Sequence, residues 1–101
     1  EAVTRYLAVE LAPYNIVVNA ISPGLVDTEA LRHFDAAQDE DLLQRAASLT
    51  PAGRLVTPLD IAQVAAFLCS PAAFMIRGQT ILVDGGYTLP VEGAVPRPGV
   101  K

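Results

Sequence analysis

A chain of 101 residues has room for at most one small domain. With 51% apolar and 18% charged residues it is too hydrophobic for a disordered segment, and a formal net charge of −4 is the wrong sign for a generic nucleic-acid binder. No apolar run approaches the roughly 18 residues of a membrane span, no leader segment shows at the start, and the single Cys69 cannot form an internal disulfide, which predicts a reducing, cytoplasmic setting.

Residues 1–12, EAVTRYLAVELA, are strong helix formers, with Glu1 and Arg5 spaced for an i,i+4 pair. The sequence opens in mid-helix, with no initiating Met and no capping residue before Glu1, and reads as cut. Val3, Leu7 and Leu11 line one helix face, while Ala2, Tyr6 and Val9 line roughly the opposite one. Two apolar faces predict burial on two sides, one against a sheet and the other against a helix or a second subunit. Pro13 ends the helix.

The stretch Asn15–Thr28, NIVVNAISPGLVDT, carries the most informative residues. Ile16, Val17, Val18, Ala20 and Ile21 form an apolar run broken by Asn19 and followed by Ser22-Pro23-Gly24. A β-branched run bounded by turn residues predicts a strand buried on both faces, as in parallel sheets flanked by helices. Gly24 allows a sharp turn or a close approach to a ligand, and Asp27 or Thr28 can cap a short helix. A strand that ends in such a turn leaves free backbone donors at the carboxyl edge of a sheet, where open α/β sheets bind ligands. The same pattern also describes an ordinary strand–loop–helix joint.

EALRHF at 29–34 can make about two helical turns. Residues 35–49 then predict an acidic helix with Leu42, Leu43, Ala46 and Leu49 at helical spacing. The weak amphipathicity of 27–50 predicts a covering element rather than core. Thr57-Pro58-Leu59-Asp60 is a helix start, with Thr57 as N-cap, Pro58 at the first position and Asp60 at the positive end of the dipole. Ile61, Val64, Ala65 and Leu68 share one face, whereas Phe67 falls beside Asp60 and Gln63 and predicts either a second contact surface or a lone exposed ring. A turn at Ser70-Pro71 and Arg77-Gly78 lead into a second apolar strand, 79–83, ended by Asp84-Gly85-Gly86. Residues 90–101, rich in Pro and Gly, are predicted to be a flexible tail after an ordered segment over 1–89. Two parallel strands joined by a helical crossover form one right-handed βαβ unit. Such a pair leaves edges and faces open and calls for further strands beside it.

The chemistry within the chain is incomplete. No Gly-x-Gly-x-x-Gly or P-loop pattern occurs, so nothing cradles a pyrophosphate. His33 is the single histidine and reads as a solvated or capping residue; with Cys69, which reads as a small core residue, it makes no metal-ligand cluster. The acidic run Asp35–Asp41 reads as a solvated helix start. Tyr6, Tyr14 and Tyr87 have no neighbouring base in sequence, and the single lysine is Lys101. No catalytic residue and no metal site is therefore assigned.

Three ordered segments, TRYLAVELAPYNIVVNAISPGLVDT, PAGRLVTPLDIAQVAAFLCS and RGQTILVDGG, resemble the C-terminal part of a short-chain dehydrogenase/reductase over residues 1–89. DTEALRHF, DLLQRAASLTPAGR and FMIRGQTILVDGG are most similar to short-chain-type enoyl-ACP reductases of fatty-acid synthesis. Ser22-Pro23-Gly24 is the broad family form, and 3-oxoacyl-ACP reductase or another short-chain dehydrogenase stands as the alternative. The resemblance implies an α/β fold, the last two strands of a Rossmann-type doubly wound parallel sheet with its crossover helices. It places the Gly-rich loop and the active-site Ser, Tyr and Lys upstream of Glu1. It also implies that Pro23, Gly24 and Val26 (through its backbone) line the nicotinamide of NADP or NAD, with NADPH favoured. Thr28 would hydrogen-bond the cofactor, and residues 29–50 would form a substrate lid. An acyl-ACP or acyl thioester is the implied substrate of the full protein. Helix 58–69 and strand 79–83 are the implied interface of a homo-oligomer, commonly a tetramer, with no nucleic-acid or membrane partner. The chain by itself is expected to be inactive. A non-enzymatic, stand-alone assembly module is the reading from another class, and it predicts a cooperatively melting homo-oligomer.

Overall fold

A computed structural model of the chain describes residues 1–27 and 40–89. Helix α1 (Ala2–Leu11) leads to strand β1 (Ala20–Pro23); helices α2 (Glu40–Leu49) and α3 (Pro58–Leu68) precede strand β2 (Thr80–Val83). β1 and β2 pair in parallel, with Ala20 opposite Thr80, Ile21 opposite Ile81, Ser22 opposite Leu82 and Pro23 opposite Val83. This is the α/β arrangement expected for two neighbouring strands of a Rossmann-type sheet with helical crossovers.

Pro13 does not stop α1 alone. Ala12–Tyr14 tightens into a 3-10 turn, and Asn15 then takes the left-handed conformation, φ 61°, with its N–H donating to the Ala12 carbonyl at 2.9 Å. Asn is one of the few side chains that enter this region readily.

The strand begins later than the apolar run predicts and continues through Pro23. The ladder explains why a proline is tolerated there. Ala20 N–H donates to Gln79 at 2.9 Å and Gly24 N–H to Val83 at 3.1 Å, so even-numbered donors face β2. The Pro23 nitrogen faces the opposite edge, where no ladder bond is lost.

Alternation puts Ile21, Ile81 and Val83 on one face and Ala20, Ser22 and Leu82 on the other. Helix α3 lies over the first face: Ile21 shares a hollow with Ala65 and Leu68, and Val83 shares another with Val64 and Phe67. The second face stays open, with Leu82 51% exposed. Burial on both faces, expected from the apolar run, is thus not achieved among the described residues. The same holds for α1, where Val3, Tyr6 and Val9 are exposed and Ala8 is buried. Ala8 packs on Gly78, where an added Cβ would lie 3.2 Å from the Ala8 Cβ. The two strands and three α-helices of the described residues supply too little surface to cover both faces of either element.

The start of α3 follows the sequence closely. Thr57 Oγ1 accepts from the Asp60 N–H at 3.3 Å, and the Asp60 carboxylate accepts from the Thr57 N–H at 2.8 Å, a reciprocal capping box with Pro58 in the first turn. Cys69 departs from its expected core position. It is the C-cap of α3, one residue beyond the half-buried Leu68, and it is exposed. Helix α2 is observed from Glu40. The predicted residues 35–39 of that helix, the turns at 29–34, Thr28, His33 and the tail 90–101 lie outside the described residues.

Candidate functional site: the carboxyl edge of the strand pair

Three loops meet beyond the carboxyl ends of β1 and β2: residues 24–27, 50–56 and 84–88. They meet where glycines let backbone come close to neighbouring side chains. An added Cβ at Gly24 would lie 2.6 Å from the Asp84 Cβ and 3.0 Å from its Cα. Gly24 is therefore small because Asp84 occupies the space, an internal reason that the sequence alone does not reveal. At Gly85 and Gly86, φ of 64° and 91° places both in the left-handed region, and added Cβ atoms would meet Thr50 and Pro51 at 2.8 Å. The Ala52 N–H donates to the Gly85 carbonyl at 3.0 Å. Thr50 is buried, with Oγ1 donating to the Ala46 carbonyl at 2.8 Å, so the end of α2 is tied into the same junction.

Asp84 is buried, and its carboxylate accepts three hydrogen bonds. One carboxylate oxygen accepts from the Gly86 N–H at 2.8 Å; the other accepts from the Thr88 N–H at 3.0 Å and from the Thr88 hydroxyl. These bonds, the Thr88 hydroxyl foremost, hold its carboxyl below the usual range. Asp84 is thus the fixed point of a turn, a role that the Asp-Gly-Gly sequence announces through its turn chemistry.

Val26 pairs with Val56 in an isolated parallel bridge, and the Asp27 N–H donates to the Val56 carbonyl at 2.7 Å. The Val26 carbonyl belongs to the same planar trans peptide as that N–H and so points away from Val56. In an extended residue the N–H shares the direction of its own carbonyl. Val26 therefore turns one donor and one acceptor outward, and neither has a partner among the described residues. Pro23 beside it is exposed, and Gly24 and Val26 are half-buried.

Arg54 closes the 50–56 loop onto α3. Its guanidinium grips Asp60 with two parallel bonds of 2.7 and 2.9 Å and also donates to the Leu55 carbonyl. This pairing, with the Thr57 bonds, holds the Asp60 carboxyl far below its ordinary range and raises Arg54. A hollow of 350 Å³ opens between Asp27, Leu43, Gln44, Ala47, Arg54 and Thr57. A larger one, 480 Å³, lies where Val64 and Phe67 face Val56 and Val83. Phe67 shares it with Asp60 and Gln63, the two neighbours that helical spacing assigns to it.

Of the residues predicted for the site, the structure brings Pro23, Gly24 and Val26 together at one sheet edge, and Thr28 lies outside the described residues. Sequence reasoning missed the part played by Asp84, Thr88 and Val56. The Asp-Gly-Gly turn was a usable signal for Asp84, whereas the Val26–Val56 bridge joins residues 30 apart and left none. Among the described residues no group of His, Cys, Asp and Glu could hold a metal ion. No described helix is long and apolar enough to cross a membrane.

The carboxyl edge of the strand pair thus presents an outward backbone donor and acceptor at Val26 and an exposed Pro23, at the side of the sheet where open α/β folds bind ligands. The family model described as Enoyl-(Acyl carrier protein) reductase matches residues 1–88. The chain belongs to the short-chain dehydrogenase/reductase family. It is 44% identical over 88 residues to the NAD-dependent glycerol dehydrogenase of Listeria innocua, covering 87% of this chain and 34% of that protein. It is 41% identical over 83 residues to the 3-oxoacyl-[acyl-carrier-protein] reductase of Aquifex aeolicus, covering 82% and 32%. Among solved structures, the 3-ketoacyl-(acyl-carrier-protein) reductase of Brucella melitensis complexed with NADH superimposes with a TM-score of 0.72 at 42% identity, covering 87% of this chain and 33% of that one. A small-chain dehydrogenase in complex with NADPH gives 0.75 at 42% identity, covering 88% and 39%. The chain thus spans about a third of the length of the curated relatives it matches.

Proposed function

We propose that this chain supplies the nicotinamide-side wall of an NAD(P)H-dependent oxidoreductase. The observation that carries the reading is Val26, whose outward N–H and C=O match the acceptor and donor of a carboxamide. The exposed Pro23 offers an apolar surface beside it. These residues fit the nicotinamide end of a dinucleotide; no sequence in the chain fits the pyrophosphate end. When bound, a reduced nicotinamide supplies the hydride. The chain's own contribution is orientation: Val26 fixes the rotation of the carboxamide, and Gly24, held against Asp84, sets the height of the loop. Thr28 follows in sequence and is assigned a hydrogen bond to the same cofactor. Residues 29–50 are assigned to the lid that excludes water.

The substrate proposed is an acyl thioester, with reduction of an enoyl-ACP double bond as the first reading. The description of the matching family model supports it. Reduction of a 3-oxoacyl-ACP carbonyl is the second reading, supported by the Aquifex and Brucella relatives. NADH and NADPH are each found with a relative of this chain, and NADPH is proposed on the resemblance alone. Helix 58–69 and strand 79–83 are proposed to face a second copy of the protein. Phe67 and Leu82, 47% and 51% exposed, are the apolar groups that such a contact would cover. The chain alone carries no Tyr–Lys pair in sequence proximity and is expected to transfer no hydride.

The test is to express the full product of the reading frame that encodes these residues. Oxidation of NADPH and NADH is then followed with crotonyl and acetoacetyl thioesters. Turnover of crotonyl thioester supports the first reading, turnover of acetoacetyl thioester the second. A full product that oxidises neither dinucleotide with any carbonyl or enoyl substrate contradicts the oxidoreductase reading and leaves the assembly module in its place.

A further inference from the structure

The loop that carries Val26 is gripped at two points, and both grips lead to one turn. At Gly24 the grip is direct: its N–H donates to Val83 at 3.1 Å, and its Cα faces the Asp84 Cβ too closely for any side chain. At Val26 it is indirect. Val26 is bridged to Val56, which ends the 50–56 loop, and that loop begins on the 85–86 turn. Its anchor there is the Ala52 N–H on the Gly85 carbonyl, with Pro51 against Gly86. The turn is in its own right defined by the three bonds that the Asp84 carboxylate accepts from Gly86 and Thr88.

We propose that Asp84 is a positioning residue for the dinucleotide site: with Thr88 and Gly86 it fixes the turn that seats Gly24 and, through the 50–56 loop, the outward backbone of Val26. This inference rests on the nicotinamide reading given above. Asp84 touches no ligand in this account. Its carboxylate is buried and accepts from three donors of its own turn. What it contributes is the register of two loops at once. Because both grips pass through the same turn, loosening it moves Val26 relative to a bound carboxamide without removing any group from the site.

Thr88→Val tests this with little change of shape, since it deletes the hydroxyl that donates to Asp84. The measurement is the dissociation constant of NADPH and NADH, read by their fluorescence on the full product of the reading frame, together with KM for the dinucleotide and kcat. The expected result is a dissociation constant raised about fivefold, the factor for one net hydrogen bond. The dinucleotide KM rises in step and kcat changes less. Thr88→Ser restores the donor and is expected to bind as the parent does.

Asn19→Ala is the control for stability alone, because Asn19 joins the two strands at their far, amino end. It is expected to lower Tm at unchanged dinucleotide affinity. Equal weakening by Asn19→Ala and Thr88→Val at matched Tm loss would overturn the positioning role, as would an unchanged dissociation constant in Thr88→Val. If Thr88→Val does not fold, Pro51→Ala decides: weaker dinucleotide binding supports the linkage through the 50–56 loop, and unchanged binding overturns it. A parent protein that binds neither dinucleotide overturns the nicotinamide reading itself, and the inference with it.

Discussion

The two ends of one strand pair are held together by different means. At the amino end a side chain does the joining: Asn19 Nδ2 donates to the Ile76 carbonyl at 2.8 Å, and its Oδ1 accepts from the Gln79 N–H at 3.0 Å. The Gly78 N–H on Val18 and the Ala20 N–H on Gln79 complete the seam, and the groups that join it are paired inward. At the carboxyl end the loops meet through glycines, each set against a neighbouring side chain, Asp84, Thr50 or Pro51, with Asp84 buried between them. There the Val26 N–H and C=O are left pointing outward. One end is a closed seam, and the other keeps a donor and an acceptor without a partner among the described residues. That asymmetry is the ground for proposing a structural role for the amino end and a ligand role for the carboxyl end.

The comparison can be broken most forcefully at Gly24. Gly24→Ala puts a Cβ 2.6 Å from the Asp84 Cβ and 3.0 Å from backbone, and neither can yield without moving a loop. The expected cost is about 1–3 kcal/mol by denaturant melting, the range for overpacking. A marked loss of dinucleotide affinity should accompany it. A melt and an affinity like those of the parent would show that the junction is looser than the structure makes it.

At the amino end, Asn19→Ala leaves the Gln79 N–H and the Ile76 carbonyl without their partner. It is expected to cost about 1–3 kcal/mol, read as a lower urea midpoint. A smaller effect is expected at α3, where Thr57→Ala removes the N-cap hydroxyl for about 1 kcal/mol.

The acid limb provides the smallest effect and a sharper view. Asp60 and Asp84 both have carboxyl groups held below their ordinary value of 3.8. A depressed folded-state value means that the unfolded chain binds the proton more readily. The stability that these carboxylates contribute is therefore complete above pH 3.8 and is lost as pH falls below it. Arg54→Gln should move the Asp60 part of this limb to higher pH and leave the Asp84 part in place, since Thr88 and Gly86 hold the latter. The chemical shifts of the two carboxyl groups, followed by NMR on acidification, resolve the two contributions. Identical changes at both sites would contradict the separation.

The sequence disclosed the local features and little of their assembly. Thr57-Pro58-Leu59-Asp60 was legible because a capping box is a contract among four neighbouring residues. The parallel pair was legible because two apolar runs flank a helical crossover. Pro23 misled the strand boundary, because whether a proline nitrogen faces a neighbour or an open edge depends on a partner 60 residues away. Burial on two faces was expected for α1, yet among the described residues Val3, Tyr6, Leu7 and Val9 are exposed, and the side that packs is the one carrying Ala8. Gly24 was read as a place for a ligand to approach; the structure adds that Asp84 already fills the space beside its Cα. A glycine in sequence states that something comes close, and only the fold states what.

The measurement that tests the account most directly is backbone amide NMR on the full product of the reading frame, titrated with NADPH and then with NADH. Shift changes are expected to concentrate on residues 23–28 and to be largest at the Val26 amide. The seam formed by Asn19, Ile76 and Gln79 should stay unchanged. Saturable shifts that leave Val26 untouched, or that fall on the amino-end seam instead, would contradict the assignment of the carboxyl edge to the nicotinamide.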